Sequence, residues 1–130
     1  ILGEKMHKTF GAGDHATTYG GNLVCCAAAL AVLQILEPIL HSAEEKGAYI
    51  SEKVKAMNSP YVKEIRGAGL MLGIKLEGIA HTETVAKLLS AGLVTLSAGT
   101  DVLRFLPPLT IEKEEINEGL SRLEKVIRRG

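Results

Sequence analysis

The chain has 130 residues, enough for one modest core or for a small domain with a helical appendage. Its 15 basic residues are balanced by 15 acidic ones, so no overall field attracts nucleic acid or an anionic membrane surface, and neither is predicted as a partner. Hydrophobic residues make up 46% of the sequence and aromatic ones 4%, a composition typical of a packed α/β protein and not of a disordered chain.

The first residues look like the middle of a structural element. Ile-Leu-Gly-Glu-Lys at residues 1–5 resembles the end of a strand followed by a turn, and the first residue is not Met. We therefore expect the chain to be a fragment or a trimmed part of a longer protein. Lys5 and Lys8 stand in a charged stretch, and we interpret both as solvated side chains.

Residues 11–22 are dense in Gly and small polar side chains, which predicts an irregular loop with unusual backbone angles. Thr17 and Thr18 place hydroxyl donors just before a predicted helix, an arrangement suited to holding a phosphate. The alternative is that both hydroxyls merely satisfy the backbone of the loop. Asp14 and His15 form a possible acid/base pair, but no nucleophile accompanies them, so we assign His15 to loop structure.

An Ala-rich helix is predicted at residues 23–36, with Asn22 as its N-cap. Because the helix is apolar almost all round, we expect it to be buried, and it is too short to span a bilayer. Cys25 and Cys26 are adjacent and no C-x-x-C motif occurs, which favours buried thiols over a disulfide or a metal site. These features predict a soluble protein of a reducing compartment, the cytoplasm.

Pro38 is expected to interrupt the helix, which then continues to about residues 58–60. This point is the predicted domain boundary, giving domains 1–58 and 59–130.

Beyond the boundary, short strands alternate with helices. Strands are predicted at residues 62–66, 70–76, 93–96 and 102–106, and helices at residues 82–90 and from about 112 onward. We expect an α+β layer with the helices on one face of a small sheet. Thr110 is the predicted N-cap of the last helix, and Lys113 argues against a full capping box.

Two arginines in this part receive different interpretations. Arg104 ends an apolar strand before a double proline, where a guanidinium can bind a carboxylate in a planar two-point pair. The alternative for Arg104 is a solvated or salt-bridged surface group. Arg66 stands beside Gly67 and Gly69 in a tight strand connection, and we assign it to structure.

Three sequence motifs, in the order in which they occur along the chain, resemble those of the class III aminotransferases. They are most similar to the motifs of the acetylornithine and ornithine aminotransferase group. They are Gly-Asp-His-Ala-Thr-Thr-Tyr-Gly-Gly-Asn at 13–22, Ile-Arg-Gly-Ala-Gly-Leu-Met-Leu-Gly at 65–73 and Leu-Arg-Phe-Leu-Pro-Pro-Leu at 103–109. The resemblance covers nearly the whole chain. One departure is Leu23, where the family usually has Pro.

The resemblance implies the C-terminal part of a fold-type-I transferase that uses pyridoxal 5'-phosphate. Residues 1–58 would end the cofactor-binding large domain, with a long connecting helix, and residues 59–130 would form the small α/β domain. It also implies a homodimer, amino-acid and 2-oxo-acid substrates, and a place in arginine biosynthesis. The donor would be N-acetylornithine or a similar ω-amino compound, and ornithine, succinylornithine and 4-aminobutyrate stay open.

The site residues implied by the resemblance are few. Thr18, with Thr17 as a lesser candidate, would contact the cofactor phosphate of the neighbouring subunit, and Arg104 would bind the substrate α-carboxylate. The family's Schiff-base lysine and the acidic partner of the pyridine nitrogen have no counterpart in these residues, so no catalytic residue is assigned. We expect the chain to be inactive alone. The alternative is a stand-alone module that self-associates through the helix at residues 23–36.

Overall fold

The computed structural model describes residues 3–6 and 8–128. Backbone contacts divide the chain into two compact units, residues 1–37 and residues 38–130. The predicted domain boundary at residue 58 refers to the division of a complete enzyme and stays a prediction.

The first unit consists of turns followed by helix α1 (Leu23–Leu36). The carboxamide oxygen of Asn22 accepts hydrogen bonds from the amides of Val24 and Cys25, at 3.0 and 3.1 Å, which confirms the predicted N-cap. No described residue of α1 is buried, and Leu23 is 84% exposed. The prediction of a buried helix is wrong for this unit, because the described residues before α1 are themselves exposed turns and provide no apolar layer.

The two cysteines also differ from expectation. Cys25 and Cys26 are free thiols, as predicted, but both are exposed and not buried. Their exposure follows from that of α1, since no described residue of the first unit buries a side chain of this helix.

Pro38 interrupts the helix as predicted. A 3-10 turn at Glu37–Ile39 separates α1 from α2 (Leu40–Ala56). Among the described residues the helical run Leu23–Ala56 is long and apolar enough, by length and composition, to cross a membrane. This run exceeds the segment judged from the sequence, because α1, the 3-10 turn and α2 follow one another in the chain without an intervening residue. A single run of this kind is weak evidence for a membrane span, since a core helix of a soluble protein meets the same criteria.

The second unit combines an antiparallel sheet with three longer helices. Its remaining elements are β1 (Val62–Ala68), β2 (Met71–Leu76), α3 (His81–Ser90), β3 (Leu96–Ala98), β4 (Val102–Phe105) and α4 (Lys113–Ile127). The strands found among the described residues form one sheet in the order β1-β2-β4-β3, with every neighbouring pair antiparallel.

Alternation along the strands gives the sheet one apolar face and one open face. Ile65, Ile74 and Leu103 pair side by side and belong to the apolar row. Leu72, Leu76 and Phe105 of the strands belong to the same core. The helices cover this face and contribute Ile50, Val54, Leu88, Ile116, Leu120, Leu123 and Ile127. The mixed helix and sheet fold with helices on one face is therefore as predicted.

Hydrogen bonds between distant segments fix α2 and α4 around the sheet. Tyr49 donates from its hydroxyl to the side chain of Asn117 at 2.6 Å, which links the two helices. The hydroxyl of Ser59, on the buried side of the loop before β1, donates to the carbonyl of Ile127 at 3.0 Å. The Lys46 ammonium donates to the carbonyl of Leu109 at 3.1 Å and holds the segment that follows β4.

Two details of the second unit correct the sequence prediction. The strand expected at residues 93–96 lies at Leu96–Ala98, because the Leu93 amide donates to the carbonyl of Leu88 at 2.8 Å and so closes the end of α3. The N-cap of α4 is Glu112 and not Thr110, and a capping box is present after all. The side chains of Glu112 and Glu115 each accept a hydrogen bond from the other residue's backbone amide. Glu112 therefore caps the helix in place of the Thr that the sequence predicted.

Candidate functional site

The glycine-rich loop at residues 11–22 is a series of tight turns in the first unit. Gly13 and Gly21 have φ values of +90° and +74°, a region that favours glycine. The amide of Gly11 donates to the Asp14 carboxylate at 2.6 Å, and the amide of Asn22 donates to the Tyr19 carbonyl at 3.1 Å. The loop thus leads through closed turns to the capped start of α1, as its sequence predicted.

Thr17 and Thr18 both lie exposed in this loop. Neither hydroxyl makes a hydrogen bond within the described residues. The methyl group of Thr17 lies against Gly20, where an added β-carbon would come within 2.6 Å of it. No hydrogen bond among the described residues therefore supports the alternative that the two hydroxyls satisfy the backbone of the loop. Both hydroxyls are free to donate to a ligand, and both precede the N-terminus of a helix.

The other polar residues of the first unit show structural contacts. His15 packs edge-on against Phe10, with ring centroids 6.1 Å apart, while Asp14 closes the turn at Gly11. These contacts agree with the assignment of His15 to loop structure. Lys5 and Lys8 are exposed, as expected for solvated side chains.

Arg104 lies in β4 on the open face of the sheet. Its backbone is opposite Gly73 of β2 on one side and Leu96 of β3 on the other. The side chain is exposed and has no carboxylate partner among the described residues. Its exposure agrees both with a carboxylate-binding arginine and with a solvated surface group, while the described residues provide no salt bridge for it.

A cavity of about 460 Å³ opens in front of Arg104. Its lining includes Arg66, Gly67, Met71, Gly73 and Asp101 in addition to Arg104. The sequence alone assigns Arg66 to structure, whereas the structure places it in the lining of the same cavity as Arg104. The signal that could have identified it is strand register, because Arg66 and Arg104 are both opposite Gly73.

Comparison with known proteins identifies one family. The model of the class-III aminotransferases matches residues 1–127. The acetylornithine aminotransferase of Bacillus subtilis (strain 168) is 45% identical over 131 residues, covering 98% of this chain and 34% of that protein. The ornithine aminotransferase of Brevibacillus brevis (strain 47) is 38% identical over 126 residues, covering 95% of this chain and 31% of that protein.

Solved structures agree with the sequence relatives. An ornithine aminotransferase from Toxoplasma gondii, which holds PLP at partial occupancy in its active site, superposes with a TM-score of 0.81. It is 32% identical, and the match covers 92% of this chain and 30% of that chain. The present chain thus spans about a third of the length of the proteins that it matches.

Proposed function

The chain belongs to the class-III aminotransferases, and on that premise we propose that it is the C-terminal part of an enzyme that uses pyridoxal 5'-phosphate to move an amino group. The proposed donor is N-acetylornithine or a similar ω-amino compound, and the acceptor is 2-oxoglutarate. The observation that carries the proposal is the match over residues 1–127, together with an unpaired arginine, Arg104, at the mouth of a cavity. The proposed donor follows from the relatives, which are acetylornithine and ornithine aminotransferases.

The residues of the glycine-rich loop fit the phosphate of the proposed cofactor. Thr18, and secondarily Thr17, offer free hydroxyl donors in the loop that leads into the N-terminus of α1, an arrangement that suits a phosphate group. When bound, pyridoxal 5'-phosphate supplies an electron sink for amino transfer, while the protein supplies placement and charge.

Arg104 is proposed to bind the α-carboxylate of the amino acid or oxo acid. A guanidinium presents its N–H donors as a planar fork that matches a carboxylate with two parallel hydrogen bonds. Because the backbone of Arg104 is fixed in β4 between two paired strands, the carboxylate would be held in one orientation. Such an anchor orients the substrate without taking part in proton transfer itself.

The catalytic lysine is proposed to lie in a segment outside these 130 residues. By resemblance that lysine precedes the stretch that corresponds to residues 1–5, and no residue within the chain stands in its place. Lys5 and Lys8, which lie in or close to that stretch, are both exposed. We therefore expect no turnover from the 130-residue chain by itself.

An assay of two proteins tests this function. One is the 130-residue chain, and the other is a longer protein in which the same chain follows a segment that carries the lysine. Both are incubated with pyridoxal 5'-phosphate, 2-oxoglutarate and, in turn, N-acetylornithine, ornithine and 4-aminobutyrate. Glutamate should form only with the longer protein and fastest with N-acetylornithine. Sustained turnover by the short chain would refute its inactivity, and no turnover by the longer protein with any donor would refute the function.

A second candidate, self-association through α1, is supported by the exposure of that helix. Leu23, Val24, Leu30 and Leu33 are each more than 60% exposed, and exposed apolar patches mark interfaces. Sedimentation velocity over a hundredfold range of concentration tests it. A chain that stays monomeric throughout would exclude self-association, whereas a dimer would also agree with the homodimer proposed for the complete enzyme in the cytoplasm.

A further inference from the structure

Arg66, Gly73 and Arg104 form one cross-strand row on the open face of the sheet. Gly73 is the register partner of Arg66 in β1 and of Arg104 in β4. Residues directly opposite one another in an antiparallel pair project to the same face, so both arginines stand on that face. With neighbouring strands about 4.8 Å apart, the two arginine α-carbons lie roughly 10 Å from each other.

Gly73 places no side chain of its own between the two arginines. A β-carbon on Gly73 would lie 3.0 Å from the Cγ1 of Val102 and 3.9 Å from the Cγ of Arg66. The side chains of Val102 and Arg66 therefore both lie next to the backbone of Gly73. Both arginines line the same cavity of about 460 Å³, which is ample for a small carboxylic acid.

The cavity carries uncompensated positive charge. Neither Arg66 nor Arg104 has an ion-pair or hydrogen-bond partner in the part of the chain that the structure describes. The carboxylate that lines the cavity, Asp101, is paired with Lys75 at 3.2 Å, so it does not neutralise either guanidinium. Two like charges facing one cavity repel each other, and an anion bound between them removes that repulsion.

We propose that Arg66 is a second guanidinium of the Arg104 carboxylate site, and that the two arginines together bind the carboxylate of the amino-acid and oxo-acid substrates. Arg66 is then a substrate-binding residue and not only part of a strand connection. The inference rests on the proposed function for the identity of the anion. The inference that the cavity is positively charged rests only on the strand register and on the two unpaired arginines.

Binding to the 130-residue chain tests the proposal without any need for turnover. Amide resonances of a ¹⁵N-labelled sample are followed during titration with 2-oxoglutarate at constant ionic strength, and the signals of Gly67 and Gly73 report on the cavity. Arg66→Gln and Arg104→Gln should each weaken binding about tenfold, the loss expected when one charge-assisted contact is removed. Arg66→Lys keeps the charge but not the planar fork, and it should weaken binding less than Arg66→Gln.

Lys63→Gln is the matched control, since it also removes one positive charge from β1. Lys63 is exposed, is paired with Glu77 at 3.1 Å and does not line the cavity, so its loss should leave the affinity unchanged. The proposal is overturned if the wild-type chain does not bind, if Arg66→Gln binds as tightly as wild type, or if Lys63→Gln weakens binding as much as Arg66→Gln.

The two proposals fail in different ways. A longer protein without aminotransferase activity, whose chain still binds 2-oxoglutarate through both arginines, would refute the proposed function and leave the role of Arg66 standing. An active longer protein in which Arg66→Gln leaves KM for 2-oxoglutarate unchanged would refute the role of Arg66 and keep the function.

Discussion

Gly47 and Gly69 approach each other backbone to backbone: a β-carbon placed on Gly47 would lie 2.0 Å from the carbonyl oxygen of Gly69. Gly47 is buried in the middle of α2, and Gly69 belongs to the turn between β1 and β2, with φ of +53°. Helix α2 can lie on this turn only where it has no side chain. The pair therefore sets how closely α2 covers the edge of the sheet.

Gly47→Ala is predicted to destabilise the second unit even though Ala is the better helix former. The obstacle is a backbone carbonyl, which cannot rotate away as a side chain can, so helix and turn must separate at a cost of about 1–3 kcal/mol. Urea unfolding followed by circular dichroism measures the change. Gly119→Ala in α4 is the control: its β-carbon meets only the Cδ1 of Leu93 at 3.4 Å, and the substitution should stabilise by about 0.4–1 kcal/mol. Equal effects of the two substitutions would contradict the close approach.

The capping box of α4 gives a second prediction. Glu112→Ala removes the side chain that accepts the amide of Glu115, and should lower the free energy of unfolding by about 0.5–2 kcal/mol. Glu114→Ala is the matched control, because it removes an acidic residue from the same first turn without touching the box. If both alanine variants unfold at the same urea concentration, the capping box contributes no more to the free energy of unfolding than one acidic side chain in the first turn does.

Local pattern was enough to predict most of the second unit. In the last helix, Ile116, Leu120, Leu123 and Ile127 recur at the spacing of one helix face, and the structure buries all four. The third strand was misplaced because Leu93 looks like the start of an apolar strand, whereas its amide closes the end of α3. The close approach of Gly47 to Gly69 involves residues that are far apart in the chain, so no local sequence pattern predicts it.

The first unit shows the limit of such inference most clearly. An all-apolar helix predicts burial, but whether α1 is buried depends on a surface that the described residues of the first unit, 3–6 and 8–37, do not provide. At the candidate site, Thr18 and Arg104 could be selected because each stands in a family motif. Arg66 could not, because its relation to Arg104 arises from the pairing of three strands and is invisible in either motif alone.

Thr18→Val tests the proposed phosphate contact in the longer protein. Valine keeps the shape of threonine but removes the hydroxyl, so affinity for pyridoxal 5'-phosphate should fall about ten- to a hundredfold, the range for one hydrogen bond to a charged group. Titration of the cofactor-free protein, followed by absorbance, measures it. Thr9→Val is the control, since the Thr9 hydroxyl is directed to the sulfur of Met6 at 3.9 Å and should not affect the cofactor. Unchanged affinity in Thr18→Val would remove this residue from the site.

Arg104→Lys separates charge from geometry at the proposed carboxylate anchor. Lysine keeps the positive charge but presents a single rotatable ammonium, so one of the two parallel hydrogen bonds to the carboxylate is lost. We expect kcat/KM of the longer protein to fall about three- to tenfold for both the amino donor and 2-oxoglutarate, no more than the loss expected for Arg104→Gln. The two substrates should suffer alike, because the same α-carboxylate contact serves each half of the transfer. The spectrum of the bound cofactor should not change, since Arg104 is assigned to the substrate and not to the cofactor.

Arg128→Lys provides the matched control for that substitution. Arg128 follows α4 and pairs with Glu124 at 2.8 Å on the surface, an exposed pair of the kind that contributes little. Its replacement should change kcat/KM less than about twofold, because a solvated pair of this kind has almost no geometry to lose. A fall in Arg104→Lys for one substrate only would assign the arginine to a distal group of that substrate. No fall for either would return Arg104 to the class of solvated surface arginines, from which its place in the cavity currently distinguishes it.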